Sequence, residues 1–171
     1  MSTIHRRVLA LDVHARRAGF ALLESPHRLV DWGMLYFEDR DRSPARQAAA
    51  LIELTRPERI VLVTPANQTL ARRRVQKMVV TLTRAASASH VRLVVFSRRD
   101  VLSVLGVRRR HAAAVLVAQR FPALAPRLPR PRRTQDNEHP AMCLFDAASA
   151  GLAYFEKYGR HRAAAPPPHA A

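Results

Sequence analysis

Two arginine triplets, Arg72-Arg73-Arg74 and Arg108-Arg109-Arg110, stand out as residues able to hold an anion. The chemistry they suggest is phosphate contact. The second triplet opens a helical pattern, and positive charge at a helix N-terminus opposes the dipole. A bound phosphate would relieve that cost and use the free amides as well. Charge runs are also commonly just solvated faces. Arg127, Arg130, Arg132 and Arg133, in a proline-rich stretch, add a basic loop and favour phosphate contact. Two acids sit in apolar surroundings. Asp12 ends the run Val8-Leu9-Ala10-Leu11, where an unpaired carboxylate is expensive unless it caps the next turn or meets a cation. Asp146 lies between Phe145 and Ala147-Ala148, early in a helical segment, where the dipole favours an acid.

The whole chain shares this basic bias. Its 171 residues carry 29 Lys plus Arg against 13 Asp plus Glu, a net charge of +16, and all but two of the bases are arginine. GC-rich coding explains arginine over lysine; it does not explain a twofold excess of bases. A polyanion is the implied partner: DNA, RNA or an anionic surface. Aromatic residues make up 6%, too few for a platform that stacks single strands, so recognition of backbone and shape fits better. The single cysteine, Cys143, excludes an internal disulfide and a cysteine zinc cluster. His14, His90, His111 and His161 are scattered and form no zinc spacing with it. Ser25 and Ser43 lack a nucleophile-elbow context. No apolar run approaches the roughly 18 residues of a membrane span. Asp12 interrupts the apolar stretch after Arg6-Arg7, which makes a poor secretory signal, and a cytoplasmic location is expected.

Residues 7–12, 18–24 and 28–37 read as three strands with short connections, hence an antiparallel meander. Ser43-Pro44 opens a helix to about Thr55. Residues 59–64 and 91–96 are buried strands. A helix at 68–88 separates them, with Leu70, Val75, Met78, Val79 and Leu82 on one face. Helices are expected at 98–105, 108–121 and 140–158, and the prolines of 122–137 preclude a regular helix there. One domain over 1–158 and a disordered tail over 159–171 follow. The order β-β-β-α-β-α-β-α…α predicts a mixed five-stranded sheet flanked by helices, three strands antiparallel and two added in parallel: the ribonuclease-H-like α/β arrangement.

Residues 8–33, VLALDVHARRAGFALLESPHRLVDWG, resemble the opening of RuvC-type Holliday junction resolvases. There a strand ends in Asp (Asp12 here) and a Gly (Gly19) begins the next strand. Residues 58–82, 98–125 and 137–155 are similar to the family's later blocks, in the same order. The resemblance implies a structure-selective endodeoxyribonuclease for branched DNA, acting as a homodimer. Carboxylates would hold two Mg²⁺ or Mn²⁺ ions about 4 Å apart for phosphodiester hydrolysis. By resemblance Asp12 and Asp146 are ligands. The family's second ligand one turn before Asp146 is here Cys143, too soft for Mg²⁺. Ser149 is a poor substitute, and among Asp136, Glu138 and His139 the best replacement is Glu138.

One departure is clear. The family places a Glu at the end of the fourth strand, and this chain has Thr64 there. No acid occurs between Glu58 and Asp100, so no shift of register restores it; Asn67 and Gln68 offer only neutral oxygens. The site is either remodelled or inactive. A non-catalytic nucleic-acid-binding protein on the same fold is therefore the alternative, and a basic RNA-binding protein a third.

Overall fold

The apolar run at the N-terminus forms the centre of the molecule. In the computed structural model, which describes residues 7–37, 44–64, 71–133, 135 and 137–163, β1 (Val8–Val13) is buried along its whole length. Strand β2 (Arg17–Ser25) pairs antiparallel with β1, and β3 (Arg28–Tyr36) antiparallel with β2. On the other side β4 (Arg59–Thr64) joins β1 in parallel, and β5 (Arg92–Ser97) joins β4 in parallel. The sheet order is β3-β2-β1-β4-β5, as the element order predicts.

Period-two alternation assigns the two faces of β1. Leu9, Leu11 and Val13 pack under α1 (Pro44–Thr55) and α2 (Ala71–Ala88), with Leu51, Ile52, Met78 and Leu82. Val8 and Ala10 pack on the opposite face with Ala150 and Ala153 of α5 (Met142–Ala163). Asp12 has the parity of Val8 and Ala10, so the strand itself turns its carboxylate towards the α5 side. Helices α3 (Arg98–Val104) and α4 (Arg110–Arg120) complete that layer. Among its described residues the proline stretch forms only a short 3₁₀ helix, Pro122–Arg127, with Pro126 inside it. Helix α5 continues to Ala163, past the expected end at 158. Asn67, Gln68, Asp136, the side chains of Arg72 and Arg74, and the tail from 164 lie outside the described residues.

Gly19 sets how closely α5 approaches. It is the cross-strand partner of Asp12. A Cβ at this position would fall on the backbone of Cys143 and Leu144, which cannot swing aside as a flexible side chain would. Gly19→Ala should therefore push α5 off the sheet and destabilise the fold by about 3 kcal/mol. A urea midpoint unchanged from wild type would show that the helix seats elsewhere.

Candidate functional site

The C-terminal ends of β1, β4 and β5, the start of α3, the start of α4 and the first turns of α5 meet in one place. Asp12 is wholly buried there, and Asp146 is 6% exposed on α5. Each of these acids is held by arginine. Ser97 closes β5 and N-caps α3 with a reciprocal capping box to Asp100, which fixes the first helical residue, Arg98. Its Nη2 lies 3.4 Å from Asp12 Oδ1 and 3.4 Å from Asp146 Oδ2, so a single guanidinium nitrogen stands between the two carboxylates. Arg110, the first residue of α4, donates from Nε to Asp146 Oδ2 at 3.1 Å, and its terminal nitrogens pair with Asp146 and with Glu138. The dipole cost of a cation at that helix start is thus offset by internal carboxylates as well as by any external anion.

Protonation follows from these contacts. Burial pushes the Asp146 carboxyl above the usual aspartate range, although the Arg110 hydrogen bond pulls the other way. Burial also opposes the charge on Arg110, but Asp146 and Glu138 outweigh it and raise its pKa. His14 lies in the β1–β2 connection, held by its N–H to the Arg17 carbonyl at 2.8 Å. Its Nε2 is 2.8 Å from Asp12 Oδ2. That hydrogen bond, and a second to Cys143, raise its pKa from 6.5 to about 10 against the effect of burial. Because the folded value is the higher one, the charged ring stabilises the fold; the contribution is complete below pH 6.5 and is lost as pH rises through about 10. The His14 ring resonances should accordingly titrate near pH 10 by NMR, and move back towards 6.5 in Asp12→Asn. A wild-type midpoint near 6.5 would break the assigned contact.

The remaining expected positions are resolved as follows. Thr64 ends β4, and its hydroxyl donates to the Phe96 carbonyl at 3.3 Å. Cys143 is buried, and Arg17 Nε donates to its Sγ at 3.3 Å. Glu138 precedes α5 and reaches the site through Arg110. Of the triplets, Arg73, Arg108 and Arg109 are exposed, whereas Arg110 turns inward. Beside the site is a cleft of about 710 Å³ lined by Arg110, His111, Arg127, Arg130, Arg132 and His139, among others. Arg98 and His14 are the functional neighbours that sequence reasoning missed. Arg98 carries no local signal beyond its place just after a buried strand, and His14 lies two residues after Asp12.

An acidic site therefore exists, and its fit to a pair of hard divalent ions can be judged from its donors. Such a pair brings four positive charges and takes oxygen ligands. Thr64 and Cys143, the positions at which the sequence resemblance implies two further ligands, offer a hydroxyl and a thiol and no carboxylate. Among the described residues the three carboxylates of the cluster, Asp12, Asp146 and Glu138, are met by Arg98, Arg110 and protonated His14, so their charges are balanced. This donor set does not fit two Mg²⁺ or Mn²⁺ ions.

No family model and no curated protein matches the sequence. Solved structures do match the fold. RuvC of T. thermophilus in complex with Holliday junction substrate superposes with a TM-score of 0.70 at 15% identity, over 92% of this chain and 96% of that one. A second Thermus thermophilus RuvC structure gives 0.69 at 14%, over 91% and 96%. The Fowlpox virus resolvase, in complex with substrate Holliday junction DNA, gives 0.52 at 10%, over 88% and 97%. The mixed sheet and its helical layers are thus those of the RuvC-like, ribonuclease-H-like fold.

Proposed function

We propose that this protein binds branched or duplex DNA through sequence-independent phosphate contacts and does not cleave it by a two-metal route. The observation that carries the second half is the Arg98 nitrogen standing 3.4 Å from both Asp12 and Asp146. A guanidinium there occupies the space between the two acids and supplies no activated water. The first half is supported by the net charge of +16, by exposed Arg73, Arg108 and Arg109, and by the arginine-lined cleft beside the acids. The likeness to resolvases seen with Holliday junctions points to branched DNA as the form to test first. Among the described residues no helix is long and apolar enough to cross a membrane.

The test is a combined binding and cleavage assay on junction, flap and linear DNA with Mg²⁺ or Mn²⁺. Wild type should bind, with no cleavage above background. Thr64→Glu should not restore cleavage, because Arg98 and Arg110 still occupy the acids. Asp12→Asn should bind DNA as well as wild type or better, since a phosphate-repelling charge is lost. Metal-dependent cleavage by wild type that Asp12→Asn abolishes would overturn this reading in favour of a structure-selective endodeoxyribonuclease.

A further inference from the structure

The same strand end presents a second, chemically different set of donors. Asp12, His14 and Cys143 each offer one ligand atom, and the three atoms lie within 4.8 Å of one another. We propose that these residues form a site for one borderline-soft divalent cation, Zn²⁺ by donor type, rather than for Mg²⁺. The inference concerns a metal and not DNA, so it stands or falls apart from the DNA-binding reading.

The donor chemistry selects the ion. Carboxylate oxygen, imidazole nitrogen and thiolate sulfur together suit Zn²⁺, whereas a thiolate excludes Mg²⁺ and Ca²⁺ as natural occupants. The bond lengths around tetrahedral zinc put ligand atoms about 3.3–3.8 Å apart, so His14 Nε2 and Asp12 Oδ2, now hydrogen-bonded at 2.8 Å, need to open slightly while the wider separations, all within 4.8 Å, close by up to roughly 1 Å. Side-chain rotation can supply that for His14, which sits on a short connection. Asp12 and Cys143 are held by the scaffold: one lies on the central strand, the other on the first turn of α5, seated against Gly19.

The neighbours fit the same reading. Arg98 approaches Oδ1 of Asp12, while His14 lies at Oδ2. A metal can therefore take Oδ2 in place of the proton shared with His14, and Arg98 stays on the other oxygen to orient the carboxylate. Arg17 Nε donates to Cys143 Sγ at 3.3 Å and leaves sulfur lone pairs for a cation. Binding the ion displaces one proton from His14 and one from the Cys143 thiol, so two positive charges replace two and the cluster keeps its balance. Asp12 and Cys143 are 0% and 1% exposed, whereas His14 is half-buried and gives a route of entry from solvent. Three protein ligands leave one coordination position for water or another small donor.

Co²⁺ is the probe, titrated into the full-length reduced protein without oxygen. One equivalent should bind and give a thiolate-to-cobalt charge-transfer band together with tetrahedral d–d absorption. Cys143 is the sole cysteine, so that band on wild type already identifies the ligand. One equivalent of Zn²⁺ should abolish it, and excess Mg²⁺ should not. Cys143→Ser should lose the band, and His14→Gln should weaken binding roughly a hundredfold or more. His14 is on a connection outside the core, so its variant tests the site even where Cys143→Ser fails to fold. The proposal is overturned by stoichiometric Co²⁺ binding without charge transfer, by no binding at micromolar metal, or by unchanged affinity in folded His14→Gln.

Discussion

Asp12→Ala should lower the unfolding free energy by about 3–5 kcal/mol, the range for removing one partner of a buried ion pair. Its carboxylate is wholly enclosed and faces Arg98 on one oxygen and His14 on the other. Without it, a guanidinium whose side chain is only 18% exposed and a protonated imidazole lose their shared counter-charge. Asp146 remains within 3.4 Å of Arg98 and retains part of the compensation, so the lower end of the range is expected. His14 should also lose its elevated pKa, which removes the stability decline between pH 6.5 and about 10. A urea-unfolding cycle with Arg98→Met checks the coupling: Asp12→Ala/Arg98→Met should be less destabilised than the sum of the two single variants, by about 1–3 kcal/mol. Additive losses would mean that the two side chains do not share charge.

DNA affinity should fall steeply with salt, by roughly 10³–10⁵ between 50 and 200 mM if six to ten phosphates are contacted. Each arginine on a phosphate displaces condensed counterions and contributes about 0.9 to the log–log slope on duplex DNA. Replacing Arg72, Arg73 and Arg74 with alanine should therefore flatten the slope by up to about 2.7, and Arg108→Ala with Arg109→Ala by up to about 1.8. Arg110→Ala is the internal control. Its guanidinium is committed to Asp146 and Glu138, so it should cost stability and leave the slope nearly unchanged. Fluorescence anisotropy over a salt series reads all three. A slope unaffected by either multiple variant would show that the triplet is a solvated face, and a slope reduced by Arg110→Ala would show that this side chain leaves the acids to meet DNA.

The elements and their order were legible from residues 7–155 because each rests on local periodicity. The run Val8–Leu11, apolar at every position and short, reads as a strand covered on both faces, and Asp12 is the one polar residue on it. Parity along that strand then dictates which helical layer the carboxylate meets. The absence of acids between Glu58 and Asp100 likewise means that neither β4 nor the segment after it can offer a carboxylate at the end of that strand. What balances the remaining acids was not legible. Arg98 and Arg110 look like members of solvated arginine runs, and only the adjacency of β5 to β4 and the seating of α4 against α5 aim them inward. His14 and Cys143 are separated by about three quarters of the chain and match no zinc spacing, yet the Asp12–Gly19 register and the missing Cβ of Gly19 bring them together. Periodicity specifies which face a residue takes, because it depends on neighbours a few positions away. Which charges share a buried space depends on where strand ends and helix starts converge, and that is decided by packing between segments far apart in the chain.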